Sequence, residues 1–221
     1  MAFRTVAGRV LRDVGRTVAR ADLAIAYCAV VVAVSLGVHL QPAARREEIL
    51  DHLSGNVANL RTEPLLASLG SAFIVEGLSE LLLVAQLLVV LAYLQRFVGR
   101  TGSVVVGLAG HVGAGLVVAV GISAGIVDGF VDPSTANATD VGVSYVMAAA
   151  MGFLVIAVPR RWRWWYLAAT AVYWLLPGAV LRTFTDVGHA TALSIGLLLA
   201  FVASRVVTAD RRARANGGPG V

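Results

Sequence analysis

Long apolar stretches separated by short arginine-bearing segments run through the chain, and this pattern restricts the fold more than any other feature. Hydrophobic residues make up 58% of the 221 residues and charged residues only 14%, with a mean hydropathy of +0.80. Ordinary soluble domains carry about 25% charged residues. A bilayer core about 30 Å thick requires roughly 20 apolar residues per helix, so the chain has length for about six spans. We therefore predict an all-α polytopic membrane protein with six transmembrane helices.

The apolar runs define a predicted membrane domain that covers 22–208. Its spans are 22–40, 65–94, 103–127, 141–158, 164–180 and a last one from 187 to just before Arg205. Residues 1–21 form a basic segment with a short helix on the inner membrane surface. The loop 42–64 has apolar residues at helical spacing, which predicts an interfacial helix on the outer leaflet. The Gly- and Arg-rich tail 209–221 is predicted to be disordered.

Arginine accounts for all 18 basic residues of the chain, and its distribution predicts the orientation. The amino-terminal segment, the 2/3 turn, the 4/5 turn and the tail hold 5, 2, 3 and 4 arginines, against 4 in the three opposite loops. The positive-inside rule then places both termini in the cytoplasm. A lysine-free composition rich in Ala, Val and Gly is typical of a GC-rich bacterial genome, so we expect the bacterial inner membrane.

The net charge of +5 does not indicate a nucleic-acid partner, because the arginines lie at span ends. The positive-inside rule and anionic lipid explain them there, so membrane lipid is the predicted partner. The single cysteine, Cys28, lies within the first apolar span. It excludes a disulfide framework and a cysteine-based metal site, and we predict neither a cofactor nor a metal.

Two lone polar residues stand near the outer ends of different predicted spans. Ser144 lies about four residues into the fourth span, and His189 lies about three residues past Asp186 in the sixth, so each is roughly 6 Å along its helix. If the two helices are neighbours, the side chains can meet. A serine and a histidine held together in a bilayer can act as a nucleophile and its base.

Each of these residues also has a structural interpretation. Ser144 begins a stripe of small residues with Ala148 and Gly152, which favours close helix packing. A histidine near a helix start can be satisfied by a neighbouring carbonyl group.

Three further ionisable residues lie within predicted spans. His111 is surrounded by glycines and is predicted to lie roughly 10 Å or more below Ser144, which favours a packing role over catalysis. Glu76 and Glu80 are predicted to share one face of the second span. Carboxylates at such depth require a partner, a proton or a water-filled cavity. A proton relay through these three residues is one functional hypothesis.

Two motifs resemble those of the rhomboid intramembrane serine proteases, and more closely the divergent rhomboid-like proteins of high-GC bacteria. The segment Gly142-Val143-Ser144-Tyr145 is similar to the rhomboid Gly-x-Ser-Gly at the start of the fourth helix. The segment from Gly188 to Gly196 is similar to Ala-His-x-x-Gly-x-x-x-Gly on the sixth. The resemblance extends over all six helices, mostly through hydropathy, and implies a six-helix rhomboid-like bundle.

The resemblance also implies roles for individual residues. Ser144 would be the nucleophile and His189 the general base, while Ala192 and Gly196 would let the sixth helix pack tightly on the fourth. Gly142, Tyr145 and Glu80 would lie in the oxyanion region or the surrounding cleft.

Two departures from the protease pattern leave a second functional hypothesis open. Tyr145 stands where the proteases have glycine, and Glu80 falls near the position of their second-helix histidine. The resemblance therefore supports either a protease that cleaves transmembrane substrates through a Ser-His dyad or a catalytically inactive rhomboid-like protein. The latter would bind transmembrane helices or an envelope partner.

Overall fold

The computed structural model describes residues 2–77, 80–181 and 183–216, which form α-helices and short 3-10 turns without a strand in those ranges. The helices are α1 Ala2–Val18, α2 Asp22–His39, α3 Ala43–His52, α4 Val57–Thr62, α5 Pro64–Gly70, α6 Leu81–Val127, α7 Ser144–Phe153, α8 Arg163–Leu181 and α9 Phe184–Asn216. The 3-10 turns are Ser71–Phe73, Pro133–Asn137, Leu154–Ala157 and Arg160–Trp162. The all-helical prediction is confirmed for this part of the chain.

Three apolar helical stretches in the described residues are long enough to cross a membrane. They are Asp22–His39, Leu82–Val127 and Phe184–Ala209, and the shorter apolar helices are Pro64–Phe73 and Ser144–Ala157. Many large apolar side chains on these helices remain exposed, among them Val120 at 69% and Leu198 at 60%. Such surfaces are compatible with contact to lipid chains.

The centre of the molecule is α7, which packs against α6 on one side and α9 on the other. Ala148 and Ala192 are fully buried between these helices. A Cβ at Gly152 would overlap the backbone of Leu193, and one at Gly196 would overlap the backbone of Ala149. Small residues therefore allow the backbones of α7 and α9 to touch, and the close approach fixes their relative position.

The second predicted span, 65–94, is not one helix, and this expectation was wrong. After α5 and the turn Ser71–Phe73 the backbone is extended at Ile74, and a new helix begins only at Leu81. Glu76 and Glu80 therefore lie in the segment between helices and do not share a helix face. Hydropathy is continuous through this stretch, but Gly70, Ser71 and Gly77 weaken helical structure.

The 2/3 turn takes an unusual form, because α6 continues through it with one break. Gly99 has φ +74°, a left-handed conformation that favours glycine, and it separates two helical parts of α6. At the other predicted boundaries, α3 and α4 replace the single interfacial helix of loop 42–64. The segment expected to be disordered from 209 onward is helical through Asn216, and 217–221 lie outside the described residues.

Candidate functional site

A cavity of about 290 Å³ is formed where α6, α7 and α9 meet the loop before α7. Both Ser144 and His189 line it, so the two residues singled out in the sequence face one space. Its other polar or aromatic wall residues are Ser68, Ser71, Glu76, Glu80, His111, Asp140, Tyr145, Trp174 and Thr185. The cavity therefore also contains Glu76, Glu80 and His111, the three further ionisable residues singled out within predicted spans.

Ser144 is the first residue of α7 and is half-buried at the cavity wall. The preceding turn depends on Gly142, whose φ of +133° is strained for a residue with a side chain. The Gly142 amide donates to the Ser71 carbonyl at 2.9 Å, which connects this turn to the 3-10 turn after α5. The first amides of a helix lack intrahelical acceptors, so the start of α7 presents backbone donors beside the serine hydroxyl.

The imidazole of His189 is held by aromatic rings. The Trp174 ring lies 4.6 Å from it between centroids at an interplanar angle of 37°, and the Tyr145 ring meets it edge-on at 5.3 Å. Nε2 of His189 is buried and has no hydrogen-bond partner among the described residues. Packing, without a hydrogen bond to Nε2, therefore orients the ring at the cavity wall.

Tyr145 fills the space between the two histidines of the site. Its ring lies 6.0 Å from that of His111, and its hydroxyl donates to Oδ1 of Asp140 at 3.1 Å. The side chain is only 4% exposed. A Cβ at Gly188 would overlap the phenol of Tyr145, so the glycine before His189 leaves room for this ring. The tyrosine is thus an integral part of the cavity wall.

Asp140 joins the loop before α7 to the segment between α3 and α4. Its amide donates to Ser54 Oγ at 2.8 Å, and its carbonyl accepts from the Gly55 amide at 2.8 Å. Burial raises the pKa of the Asp140 carboxyl from 3.8 to about 6, although the Tyr145 hydrogen bond acts in the opposite direction. The carboxyl therefore takes up a proton in mildly acidic solution.

Rising pH is expected to lower the stability of the wild type as the Asp140 carboxyl loses its proton. Asp140→Asn should abolish this loss, because the amide does not titrate in this range. Because the pKa is raised in the folded chain, the native state binds this proton more tightly than the unfolded state. The resulting stabilisation is complete below the unfolded pKa of 3.8 and is lost as pH rises through about 6. A shift of this size corresponds to about 3 kcal/mol at most.

The measurement is the unfolding temperature in detergent micelles across this pH range. The wild-type value should fall relative to that of Asp140→Asn as pH rises. The exposed Asp128→Asn serves as a matched control and should follow the wild type. Parallel curves for wild type and Asp140→Asn would contradict the prediction.

His111 and Ser144 line the same cavity, and the ring of the neighbouring Tyr145 lies 6.0 Å from that of His111. That His111 lies roughly 10 Å or more below Ser144 stays a prediction. Ser71 Oγ donates its one proton to the Ala67 carbonyl at 2.7 Å. His111 Nε2, at 3.1 Å from that oxygen, must then be the donor.

The structure does not join every predicted site residue. No hydrogen bond links Ser144 Oγ to His189 in the described part of the chain, although both line the cavity. Glu76 is exposed and Glu80 is half-buried, and both lie at the cavity before α6 begins. Among the described residues, no three His, Cys, Asp or Glu side chains are grouped so that they could hold a metal ion.

Three wall residues escaped the sequence analysis as site residues. Asp140 directly precedes the fourth predicted span, Trp174 lies within the fifth and Ser71 within the second. A carboxylate directly before the serine motif was the one available signal. Nothing in the sequence around Ser71 or Trp174 links these residues to the serine motif at Ser144.

Comparison with known proteins identifies the family. No curated protein and no solved structure matches the chain. A family model described as rhomboid-like protein matches residues 17–208, which extend from the end of α1 into α9 and include both motifs. The resemblance is thereby confirmed at the level of the family: the chain belongs to the rhomboid-like proteins and is a membrane protein.

Proposed function

We propose that this rhomboid-like protein is an intramembrane serine protease in which Ser144 is the nucleophile and His189 the general base. The observation that carries the proposal is that both side chains line one cavity, with the serine at the start of α7. Both motifs also lie within the residues that the rhomboid-like family model matches.

In the proposed reaction, His189 takes the proton from Ser144 Oγ, which attacks the carbonyl carbon of a peptide bond. The carbonyl oxygen becomes an oxyanion near the first backbone amides of α7, where positive partial charge stabilises it. The C–N bond then breaks, and His189 returns the proton to the leaving amine. Water hydrolyses the acyl ester in a second round of the same steps.

The resting geometry requires one adjustment before this reaction. A general base acts on a hydroxyl within about 3 Å, and such hydrogen bonds often tighten only when substrate is bound. Within the described ranges, Nε2 of His189 has no competing hydrogen-bond partner to give up, which supports its role as the acceptor. The rings of Trp174 and Tyr145 limit the movement to a short one.

A second function is favoured by the chemistry of the cavity wall. Glu76, Glu80 and Asp140 all line it, and an ionised carboxylate near a developing oxyanion repels it. Tyr145 also occupies the position after the serine, where the resemblance implies glycine. These features suit a rhomboid-like protein that binds transmembrane helices without cleaving them.

Labelling with a serine-reactive fluorophosphonate separates the two functions. The active protein in detergent micelles is expected to form one adduct, which peptide mass spectrometry assigns to Ser144. Ser194 is the internal control, because its exposed hydroxyl donates to the Ala190 carbonyl of its own helix. If Ser144 stays unlabelled where an established rhomboid protease reacts, the catalytic proposal fails and the binding function takes its place.

The proposed protease is a six-span protein of the bacterial inner membrane with both termini in the cytoplasm. The arginine distribution supports this orientation, and the lysine-free composition supports a bacterium with a GC-rich genome. Its substrates would be transmembrane segments that enter the cavity from the membrane.

A further inference from the structure

A second cavity, of about 390 Å³, lies where the end of α1 meets α6. Its lining residues are Asp13, Arg16, Thr17, Arg20, Ala21, Ala92, Gln95 and Arg96. We call it the basic niche. It has no residue in common with the Ser144 cavity.

The basic niche has an excess of positive charge. Asp13 accepts from Arg96 at 3.1 Å and from the Tyr93 hydroxyl at 2.6 Å, so its carboxylate is engaged. Nearby, Asp22 is paired with Arg100. In the described part of the chain, Arg16 and Arg20 form no ion pair. Two exposed guanidinium groups therefore remain to bind an anion.

An apolar groove of about 480 Å³ adjoins the basic niche between α2 and α6. Its lining includes Leu23, Ala26, Tyr27, Val30, Leu69, Phe73, Val104 and Leu108. Gln95 lines both spaces. Its side chain accepts from the Ala24 amide at 3.1 Å and donates to Asp22 at 2.7 Å, so it forms a fixed boundary between a polar and an apolar compartment.

The two compartments follow one another along the chain in the order in which a lipid has its phosphate and its acyl chains. The apolar run of α2 begins at Asp22, directly after the niche, and the groove follows that run. On α1, Val10 and Leu11 are 55% and 72% exposed beside the arginines, which is typical of a helix lying at the membrane interface.

We propose that the niche and the groove together bind one anionic phospholipid, with its phosphate between Arg16 and Arg20 and an acyl chain along α2. Guanidinium groups bind phosphate oxygens through paired hydrogen bonds. The groove accommodates the acyl chain. A free phosphate ion has no acyl chain, so the groove favours a phospholipid as the ligand. The site would anchor α1 to the membrane domain through a lipid that touches both.

The test is native mass spectrometry of the full chain in micelles titrated with phosphatidylglycerol or phosphatidylcholine. The wild type should retain phosphatidylglycerol preferentially. Arg16→Gln/Arg20→Gln should weaken that binding roughly thirtyfold, since each basic residue near an anionic surface contributes about fivefold. Arg160→Gln/Arg161→Gln removes the same charge from another exposed turn and should bind like the wild type.

The acyl part of the proposal has its own variant. Ala26→Trp fills the groove and is expected to weaken binding of long-chain phosphatidylglycerol about tenfold, as if about two methylene groups were no longer buried. Val120→Trp places the same ring at an exposed position of α6 outside the groove. It should leave lipid binding unchanged.

Three results would overturn the site. Equal losses from both double arginine variants would mean that general surface charge attracts the lipid. Displacement of the lipid by inorganic phosphate at matched concentration would mean that the niche binds a free ion. Unchanged affinity in Ala26→Trp would remove the groove from the proposal. The unfolding temperature of each variant verifies that it is folded, and none of these readouts depends on proteolysis.

Discussion

Ser144→Ala is expected to lower cleavage of a transmembrane reporter substrate at least about a thousandfold, because the alanine has no atom to attack the peptide carbonyl. His189→Asn should cause a loss of the same order, since the serine hydroxyl then lacks its proton acceptor. Nucleophile and base act as a unit, so the double variant should be no slower than the slower single variant.

The measurement is the initial rate of cleavage in proteoliposomes, with a substrate whose transmembrane segment contains helix-breaking residues. Ser194→Ala and His52→Asn are matched controls, because both side chains are exposed and lie outside the cavity. They should retain the wild-type rate. Cleavage by Ser144→Ala at a rate near that of the wild type would show that another residue carries the chemistry.

Gly196→Ala is expected to destabilise the protein by about 4 kcal/mol, the second large effect. The added methyl group would overlap the backbone of Ala149, so α7 and α9 must separate along their contact. Backbone atoms cannot move aside as the end of a flexible side chain could. Overpacking of this kind is one of the few mechanisms that lower stability by so much. The gain in helix propensity from glycine to alanine is only about 1 kcal/mol and does not offset it.

Gly115→Ala is the matched control, because nothing lies within 4 Å of a Cβ at that helical position. It should be neutral or raise stability slightly through helix propensity alone. Thermal or denaturant unfolding of both variants in micelles gives the comparison. If the two substitutions have the same effect, the close approach of α7 and α9 does not contribute to stability as the structure indicates.

The sequence could predict the elements whose apolar runs coincide with helices. The first span was placed at 22–40 and α2 is Asp22–His39, while 164–180 falls within α8. These boundaries are marked by charged residues or by Pro42, which hydropathy and turn chemistry detect. The family resemblance was also accessible, because it depends on two short motifs.

The break at 71–80 could not be predicted in the same way. Its polar residues, such as Ser71 and Glu76, interrupt the apolar run without ending it, and the bond between Ser71 and His111 forms only in the folded chain. The shortness of α7 could not be predicted for a related reason. A hydropathy window assigns a full span to 141–158, although the helix begins only at Ser144 and is followed by a 3-10 turn.

The candidate site was only partly accessible from sequence. Ser144 and His189 could be predicted as a pair, because each is a lone polar residue at a similar distance from the end of an apolar run. The contacts of Tyr145 with Asp140 and His189 depend on ring orientation and on the absence of a side chain at Gly188. Such contacts arise from packing in three dimensions and leave no periodic pattern in the chain.

The shortness of α7 has a consequence for biogenesis. Eight of its ten residues are buried, and at 1.5 Å per residue it extends only about 15 Å, half the thickness of the bilayer core. A segment like this cannot settle in lipid alone when it leaves the translocation machinery. It must wait for α9, which is synthesised about thirty residues later. Assembly of the protein's centre is therefore completed only when α9 has been synthesised.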